Sequence, residues 1–163
     1  MREILFRGFT PEENGKEKVF VDGKWIKGRW LQGNYMALDK TTYCFREDYE
    51  AHPDNTKHYI VFDEMVDWGL PNRHLQGDVL PETVGQYTGL TDKNGKKIFE
   101  GDIMPVWENG EKYYYKVIYN GDCFMLSMLD SQQGSYPLSV KNSISEIIGN
   151  IHDNPELMKG GAE

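Results

Sequence analysis

The sequence predicts a mainly β fold: two packed antiparallel β regions, the C-terminal one SH3-like or barrel-like, with a short C-terminal helix. Three observations predict it. Five Asx-Gly dipeptides, Asn14-Gly15, Asp22-Gly23, Asn94-Gly95, Asn109-Gly110 and Asn120-Gly121, separate stretches of β-forming residues. A two-residue type I′ hairpin needs positive φ at both central positions, which Asn or Asp followed by Gly adopts at little cost. Aromatic residues make up 13% of the chain, with four Trp, ten Tyr and seven Phe, enough to fill the space between sheets. Helical periodicity is sparse. At 163 residues the chain is one domain or two small β subdomains sharing a core. The expected division is 1–80, an N-terminal β region with an irregular acidic connection, then 81–158, a small barrel-like region closed by a short helix, then a frayed tail at 159–163. One continuous domain is the alternative to that division.

The elements follow in order. Val19-Phe20-Val21, the turn at Asp22-Gly23, and Trp25-Ile26 predict a hairpin. Phe62, Met65 and Val66 stand at i, i+3 and i+4, which predicts one or two helical turns over 62–68, stopped by Gly69 and Pro71. Residues 48–58 and 69–82 read as irregular polar connections. Residues 103–129 read as a three-stranded meander turning at Asn109-Gly110 and Asn120-Gly121. In its middle strand Tyr113, Tyr115, Val117 and Tyr119 share one face, and Tyr114, Lys116 and Ile118 the other. This aromatic row reads as core rather than as a ligand platform. Ser143 and Glu146 have capping-box spacing, but Ile147 to Ile151 reads better as a strand. Asn154 before Pro155 predicts a short terminal helix, since Asn caps well and Pro suits the first helical position.

Charge and cysteines bound the function classes. The net charge is −8, and the mean hydropathy of −0.65 with no long apolar run argues against a membrane span. Residues 44–84 hold three basic and nine acidic side chains, while residues 1–43 hold eight basic and six acidic. A nucleic-acid footprint needs clustered cations. Only Lys16, Lys18, Lys24, Lys27 and Arg29 offer one, and they read first as a solvated strand face. The overall charge argues against a nucleic-acid partner. Cys44 and Cys123 lie far apart, in apolar or aromatic settings and without zinc spacing. They read as buried, reduced thiols of a cytoplasmic protein, and the N-terminus shows no signal-peptide core.

The search for chemistry finds little. Gly89 to Lys97 resembles a phosphate loop but has five residues between its glycines and no Ser or Thr after the lysine. His52, Asp54 and His58, with Glu50 nearby, are the densest group of candidate metal ligands, at a spacing that matches no familiar site. Glu64 and Asp67 would be neighbours on a 62–68 helix, and they would do acid–base work only if burial separated their pKa values. No catalytic residue and no cofactor is indicated.

Three stretches together carry a resemblance. They are Met1 to Gly8 with Gly23-Lys24-Trp25-Ile26-Lys27-Gly28, then Leu80 to Ile103, then Ile148-Gly149-Asn150-Ile151-His152-Asp153-Asn154-Pro155-Glu156-Leu157. The chain resembles the YopX family of phage and prophage proteins of Gram-positive bacteria over nearly its whole length. Residues 31–79 carry no part of the signature. The resemblance implies a compact, mainly β protein of the host-cell cytoplasm and implies no activity. Of the signature residues, Thr88, Gly89, Asp92, Gly95, Gly101 and Asp102 read as turn-forming, with Asp92 bonding the backbone two residues on. Gly149, Asn150, Asn154 and Pro155 complete the set. Three functions follow as expectations. The first is a non-catalytic accessory protein acting through a protein partner or itself, as a homo-oligomer, by edge strands and exposed aromatics. The second is a nucleic-acid-associated small β-barrel. The third is an enzyme whose site lies in the acidic 44–84 region.

Overall fold

The computed structural model describes residues 3–52, 55–66, 70–129 and 134–159. The chain is mainly β and builds two antiparallel sheets. The first contains β1 (Phe6–Pro11), β2 (Glu17–Val21), β3 (Lys24–Asp39), β4 (Thr56–Val66), β5 (Leu70–Asp78), β6 (Gly85–Thr91) and β7 (Lys97–Phe99). Its order is β5-β4-β3-β1-β6-β7, with β2 also on β3. The second contains β8 (Asp102–Glu108), β9 (Glu111–Tyr119), β10 (Phe124–Met128), β11 (Ser135–Pro137) and β12 (Gly149–Asn150), in the open order β11-β10-β9-β8-β12. Two short helices, α1 (Arg46–Glu50) and α2 (Leu138–Lys141), and 3₁₀ turns at Pro81–Thr83 and Pro155–Lys159 complete the fold.

The sixteen-residue β3 is the spine of the first sheet. Its first part pairs with β2, its middle with β1 and its last part with β4. Pro11 and Glu17 both face Gly28, so β1 and β2 lie end to end along β3 and residues 12–16 loop out between them. That junction demands glycine. A Cβ on Gly28 would stand 1.9 Å from the Thr10 carbonyl oxygen, and one on Gly15 would stand 2.3 Å from the Gly28 Cα. Asn14-Gly15 is therefore a close approach of two chain segments, and neither residue takes positive φ.

Asp22-Gly23 and Asn109-Gly110 are the reversals in which both residues are left-handed, at φ 48° and 77° and at 52° and 89°. They close the β2–β3 and β8–β9 hairpins, as type I′ geometry requires. The 103–129 meander forms as expected, with β9 between β8 and β10. Tyr115 and Val117 lie in the main core with Ile98, Met104, Val106, Phe124, Leu126 and Leu138, and Tyr113 packs against it, but Tyr119 at the end of the row is exposed, so the aromatic row is core only in its middle. Two smaller clusters serve the first sheet, one around Phe9, Val19 and Val21, the other around Leu31, Ile60 and Val79.

Several expectations are corrected. Residues 62–66 are the end of β4 rather than a helix; Asp67 to Gly69 lie outside the described residues, and so does part of the Glu64–Asp67 pair. Phe62, Met65 and Val66 fit a helical period, but this segment pairs with β5, and a bulge between Glu64 and Met65 shifts the register. Most of 69–82 is β5 rather than loop. Cys44 and Cys123 are both exposed free thiols, not buried ones. Cys44 falls in the loop after β3, and Cys123 in the reversal before β10, on the face opposite the buried Phe124 and Leu126. Residues 160–163 of the expected tail lie outside the described residues.

Candidate functional site

The signature residues do structural work that the geometry makes explicit. Asp92 sits in the turn between β6 and β7 and is buried. Its Oδ1 accepts the N–H groups of Asn94 and Lys96 at 2.8 and 2.9 Å, and its Oδ2 accepts that of Ile147 at 3.1 Å. Burial pushes the carboxyl up, but the three N–H donors outweigh it and hold its pKa below the ordinary value. Asp92 thus closes its own turn and ties that turn to the C-terminal segment. Gly89, Gly95 and Gly101 all take positive φ, near 82°. Thr88 donates its hydroxyl to the Ile98 carbonyl at 2.9 Å. It lines a cleft of 340 Å³ beside the exposed Cys123, with its proton already committed.

The second group assembles around Arg7 of β1. Its Nη1 lies 2.6 Å from Oδ1 of Asp102, which is 1% exposed, and its Nη2 donates to the Glu100 carbonyl at 3.1 Å. The guanidinium lies between two rings, 5.0 Å from the Trp30 centroid and 5.1 Å from the Phe99 centroid. Asp102 Oδ2 accepts the Phe99 N–H at 2.8 Å. Burial drives the Asp102 carboxyl upward against the pull of Arg7. Next to this pair, Trp30 Nε1 donates to Asp153 at 3.1 Å, and Asn150 donates to the other Asp153 oxygen at 2.5 Å. Asn150 Oδ1 in turn accepts the N–H groups of His152 and Asp153. Burial, with the Arg7 charge second, lowers the His152 pKa; burial also raises that of Asp153. Gly149 is required here, because a Cβ would stand 2.1 Å from the Asn154 side-chain oxygen. Asn154 also accepts the Leu157 N–H through its backbone as Pro155 opens the terminal 3₁₀ turn.

Opposed pKa shifts in neighbouring carboxyl and imidazole groups can mark acid–base sites. Both Asp102 oxygens are engaged and that residue is sealed, so it offers no edge to a substrate, while Asp153 and His152 are half-buried. The arrangement is a knot that joins β1, β3, the β7–β8 turn and the C-terminal segment. Sequence reading reached Asp102 and Asn150 but missed Arg7, Trp30, His152 and Asp153 as members of one cluster. The available signal was Arg7 itself, a charge set between Phe6 and Gly8-Phe9 in a strand with apolar neighbours.

The candidate metal ligands do not converge. Asp54 lies outside the described residues. The His52 ring stacks on Tyr43, with its Nδ1 2.7 Å from the Asp48 carbonyl oxygen, while His58 Nδ1 lies 2.6 Å from the Tyr35 hydroxyl. Among the described residues no three His, Cys, Asp or Glu side chains are grouped to hold a metal ion. No helix among them is long and apolar enough to cross a membrane.

What remains exposed is surface. Trp107 on β8 is 67% exposed and Ile144 is 68% exposed, with Val140 of α2 also open to solvent. Trp107, Ile144, Pro105 and Lys141 border one shallow cleft of 80 Å³. Ser145 pins its floor by donating its hydroxyl to the Pro105 carbonyl at 2.5 Å. Pro105 has no N–H, so this stretch of β8 resists addition of a further strand. Sequence reading placed Trp107 in the meander without finding this patch, because α2 was not legible.

Comparison with known proteins agrees with the resemblance. No curated protein matches the chain. Among solved structures it is similar to the crystal structure of protein EF1440 from Enterococcus faecalis, at 20% identity and a TM-score of 0.44, covering 97% of this chain and 99% of that one. The family model described as YopX protein matches residues 6–159, and the chain therefore belongs to the YopX family.

Proposed function

We propose that this chain is a phage or prophage accessory protein of the host cytoplasm that acts by binding another protein, or a second copy of itself, rather than by catalysis. The observation that carries the reading is the apolar patch of Trp107 and Ile144. Large apolar side chains gathered at one cleft and left in water mark contact surfaces. Tryptophan is also among the residues that most often anchor such contacts.

The test is a paired capture experiment from infected or prophage-induced host cells. It uses the wild-type chain and the double variant Trp107→Glu/Ile144→Glu, with light scattering on both. The wild type is expected to retain one stoichiometric protein, or to dimerise with concentration, and the variant to lose that property while keeping its fold. An identical set of partners on both chains would overturn the assignment of the patch.

A further inference from the structure

We propose that the outer face of the β2–β3 hairpin binds single-stranded nucleic acid, with bases stacking on Trp25 and Phe20 and phosphates held by the surrounding lysines. The strand register sets Phe20 opposite Trp25 and Lys18 opposite Lys27. Alternation turns these four away from the buried Val19 and Val21. The Phe20 and Trp25 ring centroids are 5.3 Å apart, Trp25 is 47% exposed, and the Lys18 ammonium stands 4.4 Å from the Trp25 ring centroid. Two residues along a strand advance about 6.6 Å, so an aromatic rung and a cationic rung follow each other at one step. An extended single strand presents bases and phosphates in that alternation, and aromatic rings in a basic setting are what hold it.

Charge complementarity selects this occupant. Residues 16–29 hold five basic and two acidic side chains on a chain of net charge −8. The whole-chain charge therefore argues against nucleic acid only if the charges are spread evenly, and the fold does not spread them. Among the described residues Lys16, Lys24 and Lys27 form no ion pair, and Arg29 is held by Glu12 at 2.7 Å. Glu17 is turned away to accept the Trp30 backbone N–H, and Glu156 near Lys18 is bonded to Asn154. A lysine resting on an exposed indole is held weakly. A base can take its place on the ring while the ammonium moves to the adjoining phosphate. An acidic polypeptide would satisfy the lysines but offers nothing flat to Trp25, and a duplex keeps its bases stacked.

The test is fluorescence anisotropy of a fluorescein-labelled oligothymidylate with the full chain. Binding is expected at about 50 mM salt, with quenching of tryptophan emission and steep weakening by about 200 mM. Lys18→Glu/Lys27→Glu is expected to abolish it. Trp25→Ala is expected to weaken it about five- to a hundredfold, and Trp25→Phe to restore most of it, with far-ultraviolet circular dichroism confirming that each variant is folded. Should the lysine double variant not fold, the Trp25→Ala and Trp25→Phe pair decides. The proposal is overturned if no binding is seen at about 50 mM salt, if Trp25→Ala binds as the wild type does, if a duplex binds equally tightly, or if polyglutamate displaces the oligonucleotide.

Discussion

Replacing Arg7 by Met should cost more stability than any surface substitution in this chain, and the size can be worked from the contacts. The change leaves Asp102, 1% exposed, with the Phe99 N–H as its remaining partner. Removing one member of a buried ion pair costs about 3–5 kcal/mol, because an uncompensated charge stays behind. The lost bond to the Glu100 carbonyl adds about 1 kcal/mol. The methionine keeps part of the packing against Trp30 and Phe99, which limits the loss. Folded domains of ordinary stability have about 5–15 kcal/mol in hand, so Arg7→Met should remain folded at 25 °C but with a greatly lowered urea midpoint. The decisive variant is Arg7→Met/Asp102→Asn, which removes the charge while keeping an oxygen for the Phe99 N–H. It should recover about 1–3 kcal/mol of the loss, giving a coupling energy outside additivity. Urea unfolding at pH 7 followed by tryptophan fluorescence measures all four corners of the cycle, with Trp30 as a reporter at the site. An Arg7→Met loss below about 1 kcal/mol, the value of an exposed pair, would refute the account. A double variant no more stable than the sum of its singles would refute it equally.

Further outcomes follow from the same structure. Asp92→Ala should cost about 3 kcal/mol by orphaning three N–H donors, where each buried orphan costs about 1–3 kcal/mol and some regain water. The folded Asp92 pKa lies below the unfolded one, so its contribution is present above the unfolded value and is lost as pH falls through the folded one. Wild-type unfolding should therefore steepen in acid relative to Asp92→Asn, as read by thermal melts at stepped pH. The folded His152 pKa is also depressed, so the unfolded chain takes up its proton first and stability should fall as pH drops below the ordinary histidine value of 6.5. His152→Gln should flatten that limb in the same melts. Gly28→Ala should cost about 3 kcal/mol or prevent folding, since its Cβ meets backbone. Gly110→Ala, left-handed but in open space, should cost only about 1–2 kcal/mol in urea titrations.

The legibility of the fold followed the locality of the signal. The β8–β9 turn needs only Asn109 and Gly110 with apolar alternation on either side, and all of that lies within a few residues. Residues 62–66 misled because Phe62, Met65 and Val66 satisfy a helical period as well as a bulged strand, and the choice is made by β5, whose own sequence contains Pro71 and few β-formers. Cys123 is exposed because it stands in a reversal, next to Phe124 but on the opposite side of the pleat from it. The buried knot was invisible for another reason. Arg7, Trp30, Asp102 and Asp153 are separated by 23 to 146 residues in the chain, and no local pattern announces that they meet. Asp92 was readable as a turn former through its bond to Asn94, but its bond to Ile147 was not.

That separation explains what the signature stretches are for. Arg7 of the first stretch pairs with Asp102 of the middle one, and in the last stretch Asn150 bonds Asp153, which also accepts from Trp30 of β3. The Phe20 N–H donates to the His152 carbonyl, and the Ile151 N–H to the Gly101 carbonyl, so the C-terminal segment is held by each sheet in turn. The main core cluster joins the two sheets through Ile98 of β7, and the C-terminal segment adds a polar tie between them. The buried Asp92, Asp102 and Asn150 make their hydrogen bonds to other parts of the fold. Trp25, Lys27, Trp107 and Ile144 are different. Each is exposed, none is required by a turn, and burying the Trp and Ile side chains would be favourable by about 1.5–3 kcal/mol for a residue of that size. This fold seals its arginine and leaves these side chains in water, and in the two proposals above binding falls to two faces, one apolar at Trp107 and one cationic and aromatic at Trp25.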